Sequence, residues 1–291
     1  MTIMNTIDKI FSIAYQFFDQ YRMSISILSG LVIISWIYNK FRVNRPFFSS
    51  KCSINGKTVL ITGGVSGIGY ETPKDLLQRG ARVILTDYNI EKGNQAMKQL
   101  SFETGCYVKN IRLMECDLRS FESVRKFAQF YIEEEKRLDV LICNAAVRSI
   151  DWSDGFTQFK NFRLWGAYPV SKAFMLLFTY KLRYDLDLND VDVFAVNSSW
   201  VRTSIQSPMQ DAIGFIPFMI CYPILYILKF ILAKTPKTGT RTSIFCAVEP
   251  SLRHSRDFYF EDCAIETVSS LCTNHTLANH LWKLSCEAVG I

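Results

Sequence analysis

The chain has 291 residues, 49% of them hydrophobic and 14% aromatic, which supplies one large core with appendages and excludes a disordered chain. Its formal charge of +6 is spread out with no run of five or more basic residues, so nucleic acid is not an expected partner, and membrane contact accounts better for the basic excess. Nine cysteines without C-x-x-C spacing, several inside apolar runs (Cys116, Cys143, Cys221, Cys246), read as reduced core residues, and three scattered histidines (His254, His275, His280) offer no metal site.

From Met23 to Asn39 no residue is charged, and the stretch is long enough to cross a hydrocarbon layer of about 30 Å. It is expected to be a transmembrane anchor rather than a cleaved signal peptide. It lies too far from the N-terminus, lacks a strongly basic start, and ends in Trp36, Tyr38 and Lys40. Lys40, Arg42, Arg45 and Lys51 follow it, which places the basic side, and everything after it, in the cytosol. Residues 1–44 thus form an anchor region, and 45–291 one further domain.

That domain alternates strand and helix. Apolar Thr58–Thr62 leads into a helix through Gln78; then come Val83–Thr86, a helix from about Ile90 to Leu100, Ile111–Cys116, an amphipathic helix Ser120–Glu135, and Val140–Cys143. Such alternation predicts a Rossmann-like, doubly wound parallel sheet between two helical layers. Val191–Val196 is the next expected strand, Thr238–Val248 a helix, Asp257–Phe260 a last strand and Asn274–Glu287 a closing helix. Ala212–Leu228 is a second uncharged run, broken by Pro217 and Pro223. A second span would split one sheet across a membrane, so the run is expected to be an apolar lid, at about residues 207–233, over a lipophilic pocket.

Two local patterns carry chemistry. Thr62-Gly63-Gly64-Val65-Ser66-Gly67-Ile68-Gly69 joins a strand to a helix, which sets backbone N–H groups and a helix N-terminus against a pyrophosphate. Asp87, 18 residues beyond Gly69 at the tip of the second strand, can accept hydrogen bonds from an adenosine ribose and would repel a 2′-phosphate, which favours NAD over NADP. Its plainer role is to start a turn before Asn89. Tyr168 and Lys172 are four residues apart on an expected helix, where an ammonium lowers the phenol pKa and the phenol can give or take an alcohol proton.

These motifs resemble the short-chain dehydrogenase/reductase family, and within it the membrane-anchored retinol dehydrogenase-like branch, from about Asn55 to Trp282. Besides the glycine turn, the resemblance rests on Arg79–Val83, Glu91–Gly93, Cys116–Leu118, Leu138–Ile142, Asn144–Ala145, Asp154–Phe156, Trp165–Tyr168, Ser171–Lys172, Val201–Thr203 and Lys234–Pro236. It implies Tyr168 and Lys172 as catalytic residues. The implied cofactor contacts are Thr62, Gly63, Ser66, Gly67, Ile68, Gly69, Asp87, Asp117 (at the adenine), Leu118, Asn144, Ala145, Val201 and Thr203 (near the nicotinamide), with Tyr168 and Lys172. It also implies a lipophilic alcohol or carbonyl substrate and an intracellular membrane such as the endoplasmic reticulum; a homo-oligomer stays open.

One departure dominates. Only 24 positions separate Asn144 from Tyr168, where the family holds a further helix and the strand that ends in its catalytic serine. A helix–strand unit is therefore expected to be missing. Ser149, Ser153 and Ser171 are not placed to replace that serine. Smaller departures are Ala146 in place of Gly, Ser198-Ser199 in place of Pro-Gly, and Pro73 inside the first helix. The readings left open are an oxidoreductase, a relative that binds cofactor without turnover, and a truncated product of a longer gene.

Overall fold

The computed structural model describes residues 52–145, 164–186, 190–202 and 233–290, with backbone alone for 164–169, and nine isolated positions between 20 and 37. Strands β1 (Thr58–Thr62), β2 (Arg82–Asp87), β3 (Ile111–Glu115) and β4 (Val140–Ile142) form a parallel sheet in the order β3-β2-β1-β4. Helices α1 (Ile68–Gln78), α2 (Ile90–Thr104) and α3 (Phe121–Glu134) make the crossovers. This is the expected Rossmann-like α/β architecture.

The alternating side chains of the sheet build two cores. On one face Val59, Ile61, Val83 and Leu85 pack with Leu76 and Leu77 of α1 and Leu100 of α2. On the other, Leu60, Ile84 and Met114 pack under Tyr131 and Phe127 of α3.

Downstream, helix α4 (Leu164–Asp185) leads to β5 (Ala195–Asn197), and the short helix α5 (Pro236–Gly239) is followed by α6 (Arg241–Val248). A second, three-stranded sheet runs β5-β6-β7, with β6 (Tyr259–Glu261) parallel to β5 and β7 (Ala264–Ile265) antiparallel to β6. Helix α7 (His275–Val289) packs along α4. Helix α6 links the sheets: its Ile244 and Val248 enter the first core, while Phe245 meets Phe260 of β6 with ring centroids 6.1 Å apart. The buried hydroxyls of Thr72 on α1 and Thr240 between α5 and α6 are hydrogen-bonded to each other.

Among the described residues β4 pairs only with β1, and β5 only with β6; residues 146–163, where a helix–strand unit was expected to be missing, lie outside the described residues. Val140 and Ile142 rest against the core that α6 helps to close. Leu141, in register with Leu60, points to the opposite face and is 53% exposed, whereas Leu60 is 5% exposed. Both faces of a parallel strand are normally covered. Here α3 covers Leu60, and no described helix covers Leu141.

Several expectations need correction. Cys143, expected in the core, is exposed beyond Leu141. The strand at Val191–Val196 shrinks to Ala195–Asn197, because its pairing to β6 begins only at Ala195 and the Val193 carbonyl accepts instead from the Arg183 guanidinium, at 3.0 Å. The helix at Thr238–Val248 begins earlier and breaks at Thr240. Phe260 lies in a strand that is followed by β7. Helix α1 runs through Pro73, which is fully buried. Of the expected anchor only Ser26, Gly30, Ile33, Ile34, Trp36 and Ile37 are described; they are helical, and Ile33, Ile34, Trp36 and Ile37 are exposed. Among the described residues no helix is long and apolar enough to cross a membrane. The lid lies outside the described residues except for Ala233, which is buried.

The uncovered face gives a direct test. Leu60→Ala should cost about 2–5 kcal/mol in urea unfolding, as deletion of a buried leucine does, and Leu141→Ala under about 1 kcal/mol, as for an exposed position. Equal losses would mean that Leu141 is covered in solution.

Candidate active site

The turn between β1 and α1 is shaped by three glycines. Gly63 and Gly67 have φ of +64° and +57°, a region that side chains disfavour. A Cβ on Gly69 would lie 2.1 Å from the Gly63 carbonyl oxygen and 2.5 Å from Nδ2 of Asn144, so only glycine fits. From the end of β4, Asn144 Nδ2 donates to the carbonyls of Thr62 and Gly63, each at 3.1 Å. The Ala145 N–H donates to Thr62 Oγ1 at 3.1 Å. Asn144 and Ala145 therefore shape the turn. No side chain caps the start of α1 at Gly67, which leaves its first amides and positive dipole end available to an anion, as a pyrophosphate requires.

The tips of β2 and β3 border this turn. Asp87 accepts from the Asn89 N–H at 2.9 Å, so it does start the turn into α2, and it aligns with Glu115 on β3. Asp117, expected at an adenine, is held by Arg119: the guanidinium contacts both carboxylate oxygens, at 2.8–3.2 Å. This charge-assisted fork pulls the Asp117 pKa down to about 2. The same guanidinium lies 5.0 Å over the Tyr88 ring. Leu118 is half exposed beside it.

Tyr168 and Lys172 both lie on α4, one turn apart along the same side. The Tyr168 side chain is outside what is described, and Lys172 is exposed. Helix α4 packs on α7, on the turn Ser270–Thr273 and on β5, and so belongs with the second sheet. Val201 is buried, and a Cβ on Gly239 would come within 2.5 Å of its Cγ2. Thr203 lies outside the described residues.

Beyond β5 lies a cluster the sequence did not announce. Ser199 has φ of +59°, and its Oγ donates to Glu261 Oε1 at 2.7 Å and accepts from Lys234 Nζ at 2.8 Å. Lys234 also bonds Asp262. The only signals were Ser-Ser in the place of Pro-Gly and the Lys234–Pro236 match.

The model of the family described as short chain dehydrogenase matches residues 57–164. Mouse (Mus musculus) retinol dehydrogenase 12 is 30% identical over 305 residues, covering 85% of this chain and 92% of its own. This chain belongs to the short-chain dehydrogenase family. Human (Homo sapiens) retinol dehydrogenase 11 is 29% identical, over 84% of this chain and 89% of its own. An alignment of 305 positions that covers only 85% of a 291-residue chain must open gaps of several tens of residues in it. A solved L-sorbose reductase from Gluconobacter frateurii, complexed with NADPH and L-sorbose, superposes with a TM-score of 0.53 at 14% identity, covering 75% of this chain and all of that one. It shares the fold.

Glycine substitutions should separate close packing from loose packing. Gly69→Ala, facing backbone, should cost about 1–3 kcal/mol or more in thermal unfolding. Gly64→Ala should cost less, because its Cβ would meet only the movable tip of Leu85, at 2.6 Å. The reverse order would contradict the described turn.

Proposed function

We propose that the chain is an oxidoreductase of the short-chain dehydrogenase type. It holds NAD on the glycine turn and interconverts a lipophilic alcohol and its carbonyl. The observation that carries this reading is the uncapped, glycine-tight start of α1 clamped by Asn144, a cradle suited to the anionic pyrophosphate of a dinucleotide. Thr62, Gly63, Ser66, Gly67, Ile68 and Gly69 would line it, and Asn144 and Ala145 would hold its shape. Asp87 would take the adenosine ribose. Asp87, Glu115 and Asp117 together outweigh Arg119 in charge, which disfavours an added 2′-phosphate and supports NAD over NADP. The bound nicotinamide would supply or accept the hydride.

On the chain itself, Lys172 would favour ionisation of the Tyr168 phenol and hold ribose hydroxyls, and Tyr168 would give or take the alcohol proton. Val201 and Thr203 would line the nicotinamide end. A second reading, a relative that binds cofactor without turnover, is favoured by the interrupted sheet. The strand carrying the polarising serine has no counterpart among the described residues, and losing one such donor typically costs roughly 10²–10³ in rate. On this second reading turnover should be no more than trace. The purified chain should bind NAD more tightly than NADP by protein fluorescence, with trace oxidation of a long-chain or isoprenoid alcohol that Tyr168→Phe removes. Equal binding of the two dinucleotides would sink the cofactor assignment. Robust, Tyr168-dependent turnover would show that the shortened fold still completes a working site.

The anchor belongs to the same proposal. The uncharged stretch Met23–Asn39 and the exposed Ile33, Ile34, Trp36 and Ile37 support a single span with the domain in the cytosol. A lipid surface would also bring a lipophilic substrate to a site under an apolar lid at about 207–233. Removing residues 1–44 should release the protein in carbonate extraction. A truncated form that stays integral would assign the span to the second apolar run.

A further inference from the structure

The buried cluster behind β5 has no part in the chemistry above, yet it fixes the piece of chain expected to meet the nicotinamide half of the cofactor. Lys234 and Asp262 have side chains only 8% and 11% exposed and form an ion pair. An ion pair this deep gives little net stability, because desolvation offsets attraction. Its geometry is specific, however. Lys234 Nζ also donates to Ser199 Oγ at 2.8 Å, Ser199 Oγ donates to Glu261, and Glu261 accepts from Asn197 Nδ2 at 3.0 Å. The Ser199 N–H donates to Asn197 Oδ1 at 2.9 Å. Ser199 is thus gripped from both sides while it adopts a left-handed conformation that a serine reaches only at some cost.

The backbone repeats the pattern. The Lys234 N–H donates to the Trp200 carbonyl, and the Arg202 N–H to the Lys234 carbonyl, each at 2.8 Å, forming a parallel bridge between Val201 and Lys234. Val201 is then seated against Gly239, beside the Thr240 that bonds Thr72 of α1. One lysine therefore ties the loop at residues 198–202 to the β6–β7 turn, and through α5 to the helix that starts at the glycine turn.

We propose that Lys234 is a positioning residue: through Ser199 and Asp262 it holds the left-handed turn at Ser199, and so sets the loop at 198–202 against the nicotinamide half of the dinucleotide. The proposal rests on the cofactor reading above, and it separates the two halves of the ligand. ADP-ribose needs the glycine turn, the tips of β2 and β3 and the Lys172 that would hold its second ribose, but not the loop at 198–202. NAD needs the loop as well.

The test titrates the full-length chain, in detergent, with NAD and with ADP-ribose. Lys234→Met should weaken NAD by about tenfold, since small misplacements of a positioned loop cost that much or more, and leave ADP-ribose within about twofold. Lys234→Met leaves the Asp262 carboxylate buried without its ion-pair partner and can unfold the protein, so Lys234→Met with Asp262→Asn and, separately, Ser199→Ala carry the same expectation. Ser199→Gly should bind NAD nearly as the parent does, because glycine adopts the turn unaided, and Lys234→Met on that background should lose less than it does alone. Loss of both ligands together, no loss of either, or no rescue by glycine would overturn the proposal. Failure of the unaltered chain to bind either ligand would overturn the cofactor reading itself, and the proposal with it.

Discussion

The carboxamide of Asn144 is the contact on which the site depends. Its two donated bonds hold the carbonyls of Thr62 and Gly63, and the same amide leaves Gly69 no room for a side chain. Strand β4 owes its importance to this contact, because it delivers Asn144 to the turn. Yet among the described residues β4 pairs with β1 alone. It stays in place because Val140, Leu141 and Ile142 pair with β1 and because Asp139, just before it, accepts from the Thr58 N–H at 2.8 Å and from Lys57 at 3.1 Å. The glycine turn is thus held although no described strand pairs with the other edge of β4.

The other half of the expected chemistry has no such continuity. Helix α4, with Tyr168 and Lys172, takes its position from α7 and β5. The joint between the halves is made by α6 and the Thr72–Thr240 hydroxyl pair, on the face of the sheet opposite Leu141. The two halves are registered through this joint and through the Arg125 guanidinium of α3, which donates to the Val289 carbonyl of α7.

What the sequence disclosed was mostly local. The glycine turn, the strand–helix alternation through Ile142 and the spacing of Tyr168 and Lys172 each depend on a few adjacent residues whose geometry is nearly obligatory. The short stretch of 23 residues between Asn144 and Tyr168 carried the expectation of a missing helix–strand unit, but residues 146–163 lie outside the described ones. The misses were tertiary. Val191–Val196 has a strand's composition, but a strand extends only as far as its partner does. The β6–β7 hairpin was hidden because its two turn residues, Asp262 and Cys263, both take positive φ, a turn usually announced by Asn-Gly or Asp-Gly. Lys234 gave no signal of its own, since a buried lysine is identified only by partners that folding brings to it.

The joint at α6 also has a consequence for how the protein is made. Ile244 and Val248 complete a core whose other members begin at Val59, so the last part of the first sheet's core waits for residues far along the chain. The underside of β1 meets α1 and α2 first, and its cover is completed only when α6 (Arg241–Val248) has been made. Contacts this distant in sequence form slowly, and a half-made sheet with an open edge is the species most exposed to unwanted pairing. For this chain the interval between translation and closure is therefore the vulnerable period of its life, and quality-control factors that recognise exposed strands would meet it then.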